Sequence, residues 1–265
     1  MIAVQDVCAL LEDFAPLAYQ EPYDNAGLIV GKRDMPLKGV LVCLDVSEPV
    51  IDEALKLGFN MIVSHHPLIF KGVKSITGNN HVNDCLVKAI KNDLAIYAGH
   101  TNVDSVINGV NGKMAEKLGL TNVSILALVN AASKPESQYG LGVVGELKSP
   151  VSEEKFLQLV KKTFCCKVLR HSAFTGQKVQ RVGICGGSGS EFLNQAIGAG
   201  ATVFLTGEAH YHDFFTEGLG IMLIDAGHYE TEQYTKEVFF DLISKKMPKF
   251  AVRISTVEQN AVQYL

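Results

Sequence analysis

Short apolar runs alternate with amphipathic segments along most of the chain. The apolar runs have the length and β-branched content of buried strands and lie at 40–45, 61–64, 94–99, 181–187, 202–207 and 221–227. Segments of helical periodicity separate them, at 49–58, 82–92, 109–119, 155–164, 190–200 and, as one long closing helix, 229–246. Strands and helices that alternate at this spacing predict an α/β protein.

The pattern also contains an internal repeat. Residues 40–64 align with residues 182–206 without a gap, so that strand, helix, glycine stop and second strand coincide. Chance similarity between α/β units could explain this part alone. The alignment resumes with AGHTNVD at 98–104 over AGHYETE at 226–232, and the shared AGHxxx(D/E) ending predicts a duplicated fold whose halves face each other.

A polar stretch at 130–140, which contains Pro and Gly, is the predicted boundary between two lobes. Residues 1–130 together with 222–265 are expected to form the first lobe, and residues 131–221 the second. The first lobe would then contain most of the candidate metal ligands described below.

Composition excludes several classes of protein. The chain is 47% hydrophobic and 20% charged, and its formal net charge is −4, which argues against disorder and against binding nucleic acid through a basic surface. No apolar run approaches the roughly 18–20 residues of a membrane helix. The first 14 residues lack the basic start of a signal peptide. Six cysteines without a CxxC motif favour a reducing cytoplasm.

The first candidate site is Ser64-His65-His66-Pro67, at the end of a predicted strand. Groups beyond the carboxyl ends of parallel strands line the usual ligand crevice of open sheets. Neighbouring residues of a strand point to opposite faces, so His65 and His66 can serve one site only where the strand breaks. Pro67 favours an extended His66 and prevents a helix from starting there. The alternative is a pair of ordinary loop histidines.

The second candidate comprises the two AGHxxx(D/E) segments. His228 with Glu232, and His100 with Asp104, are four residues apart and share a helix face if a helix begins there. Each pair alone is compatible with helix capping. Imidazole together with carboxylate suits Zn, Mn, Fe or Ni, whereas carboxylates alone would favour Mg or Ca.

Considered together, these residues predict a metal site. Six ligand-type residues follow strand ends in two repeated halves, and they include four of the eight histidines. They are His65, His66, His100, Asp104, His228 and Glu232. So many ligands exceed the need of one tetrahedral ion, and two divalent ions that share a carboxylate and activate a water for hydrolysis are the natural solution.

The chain resembles the dinuclear-metal-centre hexameric proteins, a family often labelled GTP cyclohydrolase 1 type 2 or NGG-interacting-factor-three-like. The motifs that carry the resemblance occur in order along nearly the whole chain: DNAGLIVG at 24–31, SHHPLIF at 64–70, GHTNVD at 99–104, GGSG at 186–189, TGExxxHD at 206–213 and DAGHYETE at 225–232. Two features depart from the family pattern. Tyr23 stands where the family often has Trp, and the chain has no room for the large domain that some relatives insert between the halves.

The resemblance implies a two-lobed, internally duplicated α/β fold with mixed sheets flanked by helices, and a toroid of six subunits whose di-metal sites face the inner cavity. It implies that His65 and His228 bind one ion, that His66 and Asp104 bind the other, and that Glu232 bridges both. His100 matches a position close to the metals and is expected to be catalytic, moving a proton. The implied reaction is hydrolysis of GTP or a related nucleotide by a metal-activated water.

Other assignments stay open at this point. The same ligands would also serve a ring-shaped metal-binding scaffold that acts through protein partners without turnover. His212 and Asp213 could lie near the metals or make structural hydrogen bonds. The glycine-rich turn at 186–189 could receive a phosphate on its backbone N–H groups or simply be a tight turn.

Overall fold

The computed structural model describes residues 2–78, 80–129 and 138–265. Its helices are α1 (Val4–Phe14), α2 (Glu48–Lys56), α3 (His81–Lys91), α4 (Thr101–Asp104), α5 (Val110–Leu118), α6 (Glu153–Thr163), α7 (Leu193–Gly198), α8 (His228–Glu232) and α9 (Thr235–Lys246). Its strands are β1 (Gly27–Val30), β2 (Val40–Cys43), β3 (Met61–Ser64), β4 (Ala95–Ala98), β5 (Thr121–Leu128), β6 (Gly140–Ser152), β7 (Arg170–His171), β8 (Lys178–Cys185), β9 (Val203–Thr206), β10 (Met222–Asp225) and β11 (Val252–Ile254). Short 3-10 helices occur at Leu17–Tyr19, Ser190–Phe192 and Tyr211–Phe214.

The chain divides into two compact units. The first comprises Met1–Val103 and Thr235–Ala261, and the second comprises Asp104–Tyr234 and Val262–Leu265. The boundaries between the units thus fall after Val103 and Tyr234, whereas the sequence predicted them after residues 130 and 221. The reason is strand pairing, because β5 pairs with β6 and β10 pairs with β9, which draws both flanking regions into the second unit. Residues 130–137 of the predicted linker lie outside the described residues.

The first unit is built on a five-stranded sheet in the order β1-β4-β3-β2-β11. All neighbours are parallel except β1, which runs antiparallel to β4. Every residue of β2, β3 and β4 is buried, which explains why these strands appear in the sequence as continuous apolar runs. The sheet therefore brings the carboxyl ends of β2, β3 and β4 to one edge.

The second unit is built on a six-stranded mixed sheet in the order β5-β6-β8-β9-β10-β7. Strands β8, β9 and β10 are parallel, and β5, β6 and β7 pair antiparallel with their neighbours. Buried residues of α5, α6 and the central strands form its main core. The predicted α/β class, with mixed sheets flanked by helices, is confirmed.

Local sequence explains where several helices begin. Ser47, Asn80 and Ser152 precede α2, α3 and α6, and each side chain accepts a hydrogen bond from the backbone N–H three residues later. Basic residues occupy the last turns of these three helices, where they complement the helix dipole. The polar positions between the apolar runs thus set the helix boundaries.

The internal repeat is visible in the elements. The repeat that begins at residue 40 aligns β2 with the last four residues of β8, α2 with the 3-10 turn and α7, and β3 with β9. The second part aligns β4 and α4 with β10 and α8. Each copy of the repeat therefore has three consecutive parallel strands followed by a short helix that ends in an acidic ligand candidate, Asp104 or Glu232.

One predicted element is wrong. Residues 229–246 do not form a single closing helix, because the chain turns at Gln233 and Tyr234, between α8 and α9. Tyr234 explains the break: its hydroxyl donates to the carbonyl of Thr163 and its ring packs on Phe164, which anchors it in the second unit. None of the described helices is long and apolar enough to cross a bilayer.

Candidate metal centre

The strand β3 ends directly before the paired histidines, as the sequence predicted. The backbone N–H groups of His65 and His66 both donate to the carbonyl of Leu44, at 3.2 and 3.0 Å. The Ser64 hydroxyl donates to the carbonyl of His66 at 2.8 Å. These bonds turn the chain out of strand geometry, and the two imidazole centroids lie 4.9 Å apart. Adjacent residues can therefore act at one place.

His100 joins this pair because its strand is the neighbour of β3. The register aligns Ser64 with Ala98, and the N–H of Gly99 donates to the carbonyl of Ser64 at 2.9 Å. The His100 ring centroid is 5.2 Å from that of His65 and 5.5 Å from that of His66. Ring nitrogens of all three lie within 4.8 Å of one another, a grouping that could hold a metal ion.

Each of the three rings is oriented through its Nδ1 atom. The acceptors are the carbonyl of Gly99 for His65 at 2.9 Å, Asp45 Oδ1 for His66 at 2.7 Å and Asp24 Oδ1 for His100 at 2.8 Å. A carbonyl or carboxylate oxygen can only accept, so each neutral imidazole carries its proton on Nδ1 and its lone pair on Nε2. Ligand histidines in metalloproteins are typically held in this manner.

Asp24 is the best buried of these acceptors. Its side chain is 0% exposed and also accepts from the hydroxyl and the backbone N–H of Thr101. Burial by itself would raise the pKa of Asp24, but hydrogen bonds from His100 and Thr101 and the charge of His100 outweigh it and lower the pKa to about 2. Asp24 is therefore ionised near neutral pH and fixes the His100 tautomer.

In the second unit, α8 begins at His228, and its first turn carries the predicted pair. His228 Nε2 lies 2.9 Å from Glu232 Oε2, so the two side chains share one face of the helix as expected. His228 Nδ1 lies 3.3 Å from Glu208 Oε2. Like the other three rings, His228 has an acceptor oxygen at Nδ1, but its Nε2 also faces a carboxylate, that of Glu232.

The glycine-rich turn at 186–189 makes room for the Glu232 carboxylate. A Cβ atom at Gly187, where φ is +59°, would lie 2.0 Å from Glu232 Oε1. Three N–H groups of the turn are already bonded within the unit: Gly186 to Asn111, Gly187 to Thr231 and Gly189 to Thr206. The structure therefore favours the tight-turn interpretation over a phosphate cradle.

Asp104 is the last residue of α4 and the first of the second unit. It is half-buried, and its carbonyl accepts from the Asn111 amide at 3.2 Å. Burial raises the pKa of the Cys185 thiol, and the charges of Asp104 and Glu232 raise it further. The acids that end the two AGHxxx(D/E) segments therefore both act on one buried group of this unit.

His212 and Asp213 have structural contacts. Asp213 Oδ2 accepts from the backbone N–H of His210 at 2.8 Å and so caps the 3-10 turn Tyr211–Phe214. Burial would raise the pKa of Asp213, but hydrogen bonds from Ser190 and His210 lower it. The His212 ring packs against Tyr211 and Phe215. Within the described part of the chain, neither residue belongs to a group of three potential ligand atoms.

Sequence reasoning missed the residues that orient the rings. These are Asp24, Asp45 and Glu208, which contact His100, His66 and His228. Asp24 is the first residue of the DNAGLIVG motif and Glu208 is the third residue of TGExxxHD, but neither motif indicated a role for them. Asp45 is the last residue of the run at 40–45 and belongs to no motif, so only the fold could show that it contacts His66.

The donor chemistry fits a transition metal or zinc. Each unit offers imidazole nitrogens, and the second adds the buried carboxylate of Glu232. Such mixed nitrogen and oxygen sets suit Zn, Mn, Fe or Ni better than Mg or Ca, which prefer oxygen alone. The closeness of His100 to His65 and His66 also makes it a possible ligand nitrogen, besides the catalytic role expected for it.

Known proteins resemble this chain over nearly its full length. A protein of Clostridium acetobutylicum named GTP cyclohydrolase 1 type 2 homolog is 36% identical over 233 residues, which cover 87% of this chain and 85% of the relative. A protein of Streptococcus pneumoniae with the same name is 33% identical over 231 residues and 84% of each chain. The crystal structure of Staphylococcus aureus protein SA1388 superposes with a TM-score of 0.89 at 30% identity, covering 100% of this chain and 99% of that one.

The family model described as Duf34/NIF3 (NGG1p interacting factor 3) matches residues 2–261. This match spans both units and every element from α1 to β11. The resemblance identified from the motifs is thereby confirmed, and the chain belongs to the Duf34/NIF3 family.

Proposed function

We propose that the protein is a di-metal-dependent hydrolase that acts on GTP or a related nucleotide. The observation that carries this proposal is the common orientation of His65, His66 and His100, each with an acceptor at Nδ1 and a lone pair at Nε2. Imidazoles oriented in this way are typical of metal ligands, as proposed for His65 and His66, and the same orientation makes His100 Nε2 able to accept a proton. The names of the relatives supply the substrate class.

The proposed ligands of two divalent ions, Zn, Mn, Fe or Ni, are His65, His66, Asp104, His228 and Glu232. Glu232 is the proposed bridging ligand, because its carboxylate has two oxygens, and Gly187 has no side chain that would exclude this carboxylate from its position. When bound, ions of this kind lower the pKa of a coordinated water towards 7 and so supply a nucleophile for hydrolysis.

His100 is the proposed catalytic residue. The ionised Asp24 holds the proton on His100 Nδ1, so that Nε2 can accept a proton and later release it. Thr101 donates to the other Asp24 oxygen and keeps the carboxylate in place. The arrangement is that of a general base with an orienting acid.

Activity is tested with protein reconstituted with Zn, Mn or Fe and supplied with GTP, with ring opening or release of phosphate as the readout. We expect turnover that is lost on chelation and restored by metal. His66→Ala should abolish it, whereas His171→Ala, at an exposed histidine with no ligand spacing, should leave it unchanged. Turnover that persists after complete chelation would refute the proposed mechanism.

The resemblance also leads us to propose a homohexameric ring in the cytoplasm. The alternative function, a metal-binding scaffold that acts through protein partners, predicts that the metals hold the ring together. Light scattering of metal-free protein separates the two. A hexamer that survives metal removal supports an active-site role, and dissociation on chelation supports the scaffold.

A further inference from the structure

The segment after β11 contains a nearly buried carboxylate, Glu258, whose side chain is 4% exposed. Its Oε1 atom accepts from two successive backbone N–H groups, Leu44 at 2.7 Å and Asp45 at 2.6 Å. Its Oε2 atom accepts from the ammonium group of Lys236 at 2.6 Å. Both oxygens of Glu258 are therefore committed to partners within the first unit.

Leu44 and Asp45, whose N–H groups bind Glu258, also accept hydrogen bonds from His66. The carbonyl of Leu44 accepts the backbone N–H of His66 at 3.0 Å, and Asp45 Oδ1 accepts from His66 Nδ1 at 2.7 Å. The Asp45 side chain is 57% exposed, so packing does little to hold it. Glu258 fixes the backbone of Asp45, and this backbone helps to set where the Asp45 carboxylate lies.

We propose that Glu258 is a positioning residue for the metal ligand His66, acting through Asp45. This inference rests on the proposed role of His66 in metal binding. By holding the N–H groups of Leu44 and Asp45, Glu258 keeps the Asp45 carboxylate at His66 Nδ1 and thereby keeps His66 Nε2 directed at the metal. Lys236 balances the charge of Glu258 and fixes its orientation.

The first test compares Co²⁺ and Zn²⁺ affinities of Glu258 variants by titration against a competing chelator. Removing a group that orients a ligand typically costs 10–100-fold in affinity, and an indirect residue should fall near the lower limit. We expect about a tenfold loss for Glu258→Ala. The loss for Glu258→Gln should be smaller, because the amide oxygen can still accept from both N–H groups.

Glu53→Ala is the matched control. Glu53 also binds the segment after β11, since its carboxylate accepts from the hydroxyl groups of Ser255 and Thr256 at 2.6 Å each. We expect Glu53→Ala and Glu258→Ala to lower the unfolding midpoint alike, while only Glu258→Ala weakens metal binding. Equal metal affinities of the two variants would overturn the proposal.

A double-mutant cycle tests the route through Asp45. If Glu258 acts through Asp45, Glu258→Ala should have no further effect on metal affinity in the Asp45→Ala protein. An undiminished tenfold loss in that background would contradict the assigned route.

A second measurement does not require metal. The ¹⁵N shifts of the His66 ring in metal-free protein report which nitrogen carries the proton. We expect the Nδ1–H tautomer in the wild type and a mixture of tautomers in Glu258→Ala. A wild-type protein that binds no metal would contradict the proposed function, but the tautomer measurement would still test the role of Glu258. If Glu258→Ala binds metal as tightly as the wild type and keeps the Nδ1–H tautomer of His66, the positioning role of Glu258 is wrong and the proposed function is unaffected.

Discussion

At the scale of single residues, acceptors at Nδ1 decide what the histidines can do. An imidazole without such a partner exchanges between two tautomers and offers either nitrogen. Asp24, Asp45 and Glu208 are negatively charged acceptors, whereas the carbonyl of Gly99 is neutral. A charged acceptor both fixes the tautomer and makes the opposite nitrogen a stronger base. His100, held by the most deeply buried of the acids, is therefore suited to proton transfer.

Replacing Asp24 with Asn tests this reasoning. All four groups that approach the Asp24 carboxylate are donors in the wild type: the His100 ring and the Asn25 backbone N–H at Oδ1, and the hydroxyl and backbone N–H of Thr101 at Oδ2. In Asp24→Asn, the side-chain amide nitrogen is itself a donor and would face one of these donors. Where it faces the His100 ring, it favours the tautomer that carries the proton on Nε2. We expect Asp24→Asn to lower kcat for the proposed hydrolysis about 10–100-fold with little change in the bound metal.

The control for Asp24→Asn is Asp34→Asn, at an exposed aspartate of the same unit. The ¹⁵N ring shifts of His100 give a readout that loss of stability alone would not produce. An unaltered tautomer in Asp24→Asn would contradict the account of Asp24.

At the scale of elements, the candidate ligands within each unit depend on where short segments begin and end. β3 stops at Ser64, α8 starts at His228, and the turn after β8 contains glycine where the Glu232 carboxylate approaches. Each of these features is a local interruption of regular structure. An unbroken β3 would direct His65 and His66 to opposite faces of the sheet.

The turn after β8 yields a prediction about Gly187. An alanine there adds a Cβ 2.0 Å from Glu232 Oε1 and requires a left-handed backbone, since φ is +59°. We expect Gly187→Ala to displace the Glu232 carboxylate and to lower metal content, besides a destabilisation of about 1 kcal/mol from backbone strain. Metal content is measured by elemental analysis and stability by urea unfolding.

Gly176→Ala separates the two effects. Gly176 lies in the same unit with φ of +76°, and its Cβ would meet no atom within 4 Å. We expect Gly176→Ala to lower the free energy of unfolding through backbone strain but to leave the metal content unchanged. If both variants retain full metal content, the position of the Glu232 carboxylate beside Gly187 has no role in metal binding.

At the scale of the whole molecule, the sequence predicted those features of the fold that depend on the periodicity of apolar residues. The parallel strands, the break at His65-His66 and the repeat of strand, helix and strand all follow from local order of apolar and polar residues. Periodicity does not encode which strands pair across long separations, so the grouping of β5 and β10 with the second unit was not predicted. The turn at Tyr234 was missed for the same reason, because a partner distant in sequence, Thr163, holds it.

Metal binding by the folded protein predicts a change in the stability of the molecule as a whole. The proposed ligand residues come from positions far apart in the chain, from His65 to Glu232, so an unfolded chain cannot present them together. A ligand that binds only the folded state stabilises it by about 2.7 kcal/mol at a free concentration 100 times its Kd. For a chain of this length this corresponds to a rise in Tm of roughly 5–10 °C. Calorimetry of metal-free protein titrated with Zn²⁺ or Mn²⁺ should show such a rise, and His66→Ala should largely lose it. An equal rise in the His66→Ala protein would mean that the metal binds elsewhere.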